Sequence, residues 1–173
     1  MRCGAPMKDR QDANADRLRL SGRVEVVQQF YRIRDRRGRF IRPRCIKTVR
    51  EVRSNLVVTA GRTFFCSRAR ANSDGPLSHY ALGTDATAPN VTQTALGAES
   101  YRAVFTRSSA LNGQLELTLH LGRTQGNGIT YREGGAFTAA SGGTMVARVT
   151  FSDKAKTNTN TLTVIHTITL SAS

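Results

Sequence analysis

The chain has 173 residues, enough for one domain, or one domain plus an arm, and enough to bury a core. Its 26 Lys and Arg against 12 Asp and Glu give a net charge of +14, which points to acidic or phosphate-bearing partners. No run approaches the roughly 18 consecutive apolar residues of a membrane helix, and the opening MRCGAPMKDRQDANADRL has no apolar stretch of the signal-peptide kind, so neither a span nor a leader is expected.

The bases are concentrated early. Residues 1–55 hold sixteen Lys and Arg against six Asp and Glu, and fourteen of the sixteen are Arg, the residue suited to bidentate contact with carboxylate or phosphate. Residues 1–20 read as polar and irregular; such a terminus is loose unless tied down, and this one is expected to lie against a partner subunit. Residues 23–34, RVEVVQQFYRIR, are β-branched and aromatic and predict a strand. Asp35-Arg36-Arg37-Gly38 predicts a turn, and residues 39–53 return as a second strand with Pro43 confining it to an edge or a bend. Residues 22–53 therefore predict a basic hairpin. Residues 1–53 are assigned to a projecting N-terminal arm and residues 54–173 to a β-sandwich domain.

Ser54 or Asn55 is placed as the cap of a helix over 54–70, because Leu56, Val57, Ala60, Phe64 and Phe65 recur at near-helical spacing. Gly61 inside it implies a close backbone approach. Asn72-Ser73-Asp74-Gly75-Pro76 ends the helix. The rest reads β. Residues 115–121 put Leu115, Leu117, Leu119 and Leu121 on one face, and the preceding Asn112-Gly113 is a hairpin turn. Residues 144–151 set Met145, Ala147, Val149 and Phe151 against Thr144, Val146, Arg148 and Thr150. Residues 161–170 set Leu162, Val164, His166, Ile168 and Leu170 against threonines and Ile165. GRTQGNG and KAKTNTNT read as loops, and Glu133-Gly134-Gly135-Ala136-Phe137 as a turn leading into a strand. Strict alternation implies one packed and one open face, and the fold class expected is mainly β: an antiparallel sandwich with one short helix and a projecting basic hairpin.

One set of motifs resembles tail-collar-type domains at the N-terminus of bacteriophage tail fibres. The matching positions are Val58-Thr59-Ala60-Gly61, Ala81-Leu82-Gly83-Thr84 with Pro89, and Thr94, Leu96, Glu99 and Arg102. Arg132-Glu133-Gly134-Gly135-Ala136-Phe137, Gly142-Gly143 and Val146-Ala147 complete the set. The likeness covers roughly residues 56–151, while no long fibre shaft follows and residues 1–55 fall outside the pattern. The resemblance implies a virion structural protein of the tail, neck or fibre-attachment region, assembled in the host cytoplasm. Its partners would be other virion structural proteins and further copies of itself, in a trimer- or hexamer-related arrangement, with no membrane and no cofactor. Capsid decoration is the alternative within that class.

The residues themselves offer little catalytic chemistry. His79, His120 and His166 are not spaced with carboxylates as a metal set, no nucleophile stands with a base, and no catalytic or metal residue is assigned. His120 lies on a polar strand face, His166 on an apolar one, and His79 beside a turn. Cys3, Cys45 and Cys66 are odd in number and widely spaced, as expected of reduced thiols. Glu99 and Glu133, near Arg102 and Arg132, either fix loop corners by charge-assisted bonds or are ordinary solvated charges. The sharper candidates are Arg32, Arg34, Arg36, Arg37, Arg39, Arg42 and Arg44 around Phe40, with Phe30 and Tyr31 nearby. Such a surface docks on an acidic protein neighbour or contacts DNA non-specifically, and a DNA-binding protein using this arm is the competing class.

Overall fold

The computed structural model describes residues 18–71 and 75–172. Residues 1–17, with Cys3 and the partner contact expected of the N-terminus, lie outside the described residues. Among the described residues, ten strands and one helix follow in order: β1 (Leu18–Arg34), β2 (Phe40–Ser54), β3 (Leu56–Val57), α1 (Thr59–Ala71), β4 (His79–Gly83), β5 (Glu99–Val104), β6 (Arg107–Leu111), β7 (Gln114–Leu121), β8 (Ile129–Phe137), β9 (Met145–Lys156) and β10 (Asn160–Ala172). They form two antiparallel five-stranded sheets, ordered β2-β1-β10-β7-β6 and β3-β9-β8-β4-β5. The expected mainly β sandwich with one short helix is the fold observed.

The main core lies between the sheets. Val24 and Val26 of β1, Leu117, Leu119 and Leu121 of β7, and Leu162 and Val164 of β10 meet Tyr80, Leu82, Tyr131, Val149 and Phe151 of the other sheet. These are the faces that period-two alternation marks in β7, β9 and β10. Asn112 and Gly113 take φ of 49° and 72°, as the β6–β7 hairpin turn requires.

The boundary expected at residue 53 is not one. β1 pairs with β10 from Leu18 opposite Ala172 to Phe30 opposite Asn160, so the base of the hairpin is an interior strand of the sandwich. Val24 and Val26 alternate with Arg23 and Glu25, and the two valines enter the common core. Only the distal part of the hairpin projects.

The helix starts later than its sequence pattern suggests. Leu56 and Val57 pair with Arg148 and Ala147 as a short edge strand, and the first helical bond runs from Arg62 N to Val58 O. Neither Ser54 nor Asn55 caps it. α1 closes one end of the sandwich, with Phe64 against Val146 and Ile168. At Gly61 a Cβ would overlap the Val146 carbonyl oxygen, which is the close approach the glycine implied.

Residues 133–137 are strand rather than turn. Gly134 and Gly135 sit inside β8, opposite Val149 and Arg148 of β9 and Leu82 and Ala81 of β4. Neither has a positive φ. Their missing side chains make room instead: a Cβ on Gly134 would stand 2.8 Å from the Tyr80 ring, and one on Gly135 would stand 3.0 Å from the Ala147 carbonyl oxygen.

Candidate assembly interface

β1 and β2 outrun the sheet that holds them. The register shifts between Phe30 and Tyr31 and again between Arg32 and Arg34, and Tyr31 N donates to Thr159 O at 2.7 Å. Beyond that point the hairpin pairs only with itself. Four residues at about 3.3 Å each carry the turn roughly 13 Å past the sheet. Asp35 builds the turn: its Oδ1 accepts from the N–H groups of Arg37 (2.8 Å) and Arg39 (3.0 Å), while Gly38, at φ 77°, donates to Asp35 O. The Arg39 backbone bond, joined by the Arg39 guanidinium at 2.9 Å, holds the Asp35 carboxyl below its usual range.

Asp35 is the lone acid among seven arginines at this tip, Arg32, Arg34, Arg36, Arg37, Arg39, Arg42 and Arg44. Arg34 donates to Gly38 O and stacks 3.8 Å over the Phe40 ring, which is 74% exposed. Among the described residues, Arg32, Arg34, Arg36, Arg37, Arg42 and Arg44 form no ion pair. The candidate docking residues are thus brought together on one projecting element.

The base of the hairpin is electrically different. Arg50 bonds Glu25 at 2.6 Å, and Arg53 bonds Glu51 at 2.7 Å. Glu51 also accepts from the Lys154 ammonium and from the Ser152 N–H and hydroxyl on β9. Partial burial works to raise the Glu51 pKa, but these bonds prevail and hold it down to about 2. Charge at the base is paired inward, and charge at the tip is turned outward.

The motif residues of the tail-collar resemblance converge elsewhere, on the segment 84–98 that lies over the second sheet. Leu96 of that segment packs on Ala81, Phe137, Met145 and Val58. Glu133, fully buried, accepts from Gly97 N (3.0 Å), Ala98 N (2.8 Å) and Arg148 Nε (2.8 Å). Arg148, also fully buried, reaches Gln93 Oε1 and Asp85 Oδ2, both at 3.0 Å. Gly83 leaves space where a Cβ would collide with Glu133 and the Ala98 carbonyl. At the far end Glu99 and Arg102 form a bidentate pair at 2.6 and 2.8 Å. Arg102 also donates to Ala139 O and Gly142 O and lies 3.7 Å over Phe137. Pro89 sits half-buried in the segment. Arg132 pairs with Asp153 rather than with Glu133.

The histidines divide as their strand faces suggest. His166 is fully buried, between the Tyr80 hydroxyl (3.2 Å from Nδ1) and the Asn55 amide at Nε2. Burial pushes its pKa down to about 3. His120 is exposed and meets Thr163 Oγ1, and His79 meets the Ser78 hydroxyl. Cys45 and Cys66 are exposed free thiols. No group of three metal-ligating side chains occurs among the described residues, and no described helix is long and apolar enough to cross a membrane.

Arg148 and Asp85 escape sequence reading. Alternation puts Arg148 on the open face of β9, yet the 84–98 segment covers it. The available signal was one Arg within the otherwise apolar run Met145–Val149. Comparison with known proteins returned no matching family model, no matching curated protein and no matching solved structure.

Proposed function

We propose that this chain is a non-enzymatic structural component of a bacteriophage virion, of the tail, neck or fibre-attachment region, and that it docks on neighbouring virion proteins through the hairpin tip. The observation that carries the docking role is the tip itself: seven arginines and one acid extend past the sheet, six of the arginines without an acidic partner among the described residues. The composition favours a protein neighbour over a nucleic acid. β1, β2 and the turn between them hold eleven Arg but only Lys47 as lysine, with Phe40, Ile41 and Ile46 exposed among them. Arginine and aromatics are enriched in protein interfaces, and lysine is depleted. The virion assignment rests on the motif set of residues 56–151, whose members gather around one clamped segment.

Mass spectrometry of purified, DNA-emptied particles tests the class, and absence of the chain from them overturns it. Copy number separates the positions: small multiples of three or six indicate tail attachment, hundreds indicate a decorated shell. For the docking role, the variant Arg34→Glu, Arg36→Glu, Arg37→Glu is expected to fold and to be lost from particles. Incorporation at the wild-type copy number overturns the role of the tip.

A further inference from the structure

The first sheet ends on β2, and β2 ends on nothing. It pairs with β1 on one side, and no described strand pairs with the other. Half the N–H and C=O groups of an edge strand face outward in this way and invite another strand. Natural edges are commonly short. This one runs in unbroken register from Lys47 opposite Phe30 to Ser54 opposite Arg23, and continues past a bulge through Cys45. Pro43, which has no N–H to offer, bounds it distally. The usable edge is therefore Cys45–Ser54, roughly 33 Å long at 3.3 Å per residue.

A second copy is a poor occupant. Pairing two β2 edges would set Lys47, Arg50 and Arg53 of one copy beside the same residues of the other, and like charges opposite one another destabilise a sheet. The same charges select their complement. Arg50 and Arg53 are 66% and 54% exposed at their side chains although each already holds one carboxylate, so each guanidinium keeps donors for another. Arg42 and Arg44 continue the positive row toward the tip. We infer that the outer edge of β2 accepts an extended, acidic peptide segment of a neighbouring protein as an added strand. Backbone bonds would hold the segment, and its carboxylates would set the choice of partner.

This inference rests on the docking role proposed for the hairpin and specifies its mode. The test uses the full chain and a 12-residue peptide of alternating Glu and Thr at physiological salt. A second peptide of identical sequence, N-methylated at every central amide, keeps the charge and loses the capacity to extend a sheet. The first peptide is expected to bind, the second at least tenfold more weakly. Hydrogen exchange should slow at alternate amides between Cys45 and Ser54 when the first peptide is present. Equal binding of the two peptides, absence of the alternating protection, or no binding of the first overturns strand addition. None of these results bears on the wider docking role, which the charge-reversed tip variant tests separately in particles.

Discussion

Replacing Arg148 with Met should release the segment that covers the second sheet. Met preserves much of the volume and removes the charge. Glu133 would then remain wholly buried, holding the Gly97 and Ala98 N–H groups but without its cation. Removing one partner of such a pair costs on the order of 3–5 kcal/mol, a large share of the roughly 5–15 kcal/mol of a whole domain. At about 2–4 °C per kcal/mol for a chain of this size, the melting temperature should fall by about 6–20 °C. A second change separates the stranded charge from the lost packing. Glu133→Gln together with Arg148→Met keeps a carbonyl acceptor for the Ala98 N–H, sets the amide nitrogen against the Gly97 N–H, and buries no charge, so it should recover part of the loss. Urea unfolding gives both numbers, and limited proteolysis within 84–98 shows where the structure opens. A loss below about 1 kcal/mol in the single variant, or no recovery in the double, refutes the view that this ion pair clamps the segment.

Gly61→Ala would ordinarily stabilise a helix by about 1 kcal/mol, but here the methyl meets the Val146 carbonyl, so a loss of about 2 kcal/mol is expected in the urea midpoint. The folded pKa of His166, about 3, lies below its ordinary 6.5, so the unfolded chain binds the extra proton and stability, full above pH 6.5, declines as the pH falls toward 3. Between pH 6.5 and 4.5 that decline should amount to about 2–3 kcal/mol, and His166→Gln should flatten it in a pH series of melts. Glu51, ordinarily near 4.5 and held at about 2, adds a smaller decline between those two values, because solvent screens it. Duplex DNA should bind weakly at 50 mM salt and be released by 200 mM, as a contact of several phosphates requires; sub-micromolar affinity surviving at 200 mM would favour the DNA-binding alternative.

Period-two alternation made most of the sandwich legible. Leu117, Leu119 and Leu121, Val149 and Phe151, and Leu162 and Val164 line the core from both sheets because a strand can bury only alternate residues against one neighbour. The same rule misplaced Arg148, since it assumes that the other face is open. A covering segment held by Leu96, Glu133 and Asp85 is a tertiary fact, and no local pattern announces it. At Leu56 and Val57 the helical spacing was real but pairing with β9 prevailed, and Gly134 and Gly135 looked like turn residues because sequence cannot tell a glycine needed for its φ from one needed for its emptiness. The arginines of the hairpin were legible as a cluster. Their division into a paired base and an unpaired tip depends on Glu25, Glu51 and Lys154, which come together only across the fold.

That division makes stability separable from the proposed docking role. The base is secured by the pairing of β1 with β10, by Val24 and Val26 in the core, and by Glu51 on β9. The tip contributes a self-contained turn and one stacked pair, Arg34 on Phe40, of a kind worth about 0.5–1 kcal/mol at an exposed site. Reversing Arg34, Arg36 and Arg37 to Glu loses that contact but also relieves repulsion among seven neighbouring cations, so the two effects largely offset. The melting temperature of the isolated chain should change by no more than about 3 °C. Exchange protection at Val24–Gln28 should not change at all, while the tip loses its positive field. A fall of 10 °C or more, or loss of protection along β1, would show that the tip helps to hold the sandwich together, and the arginines would then have a structural role in place of a docking one.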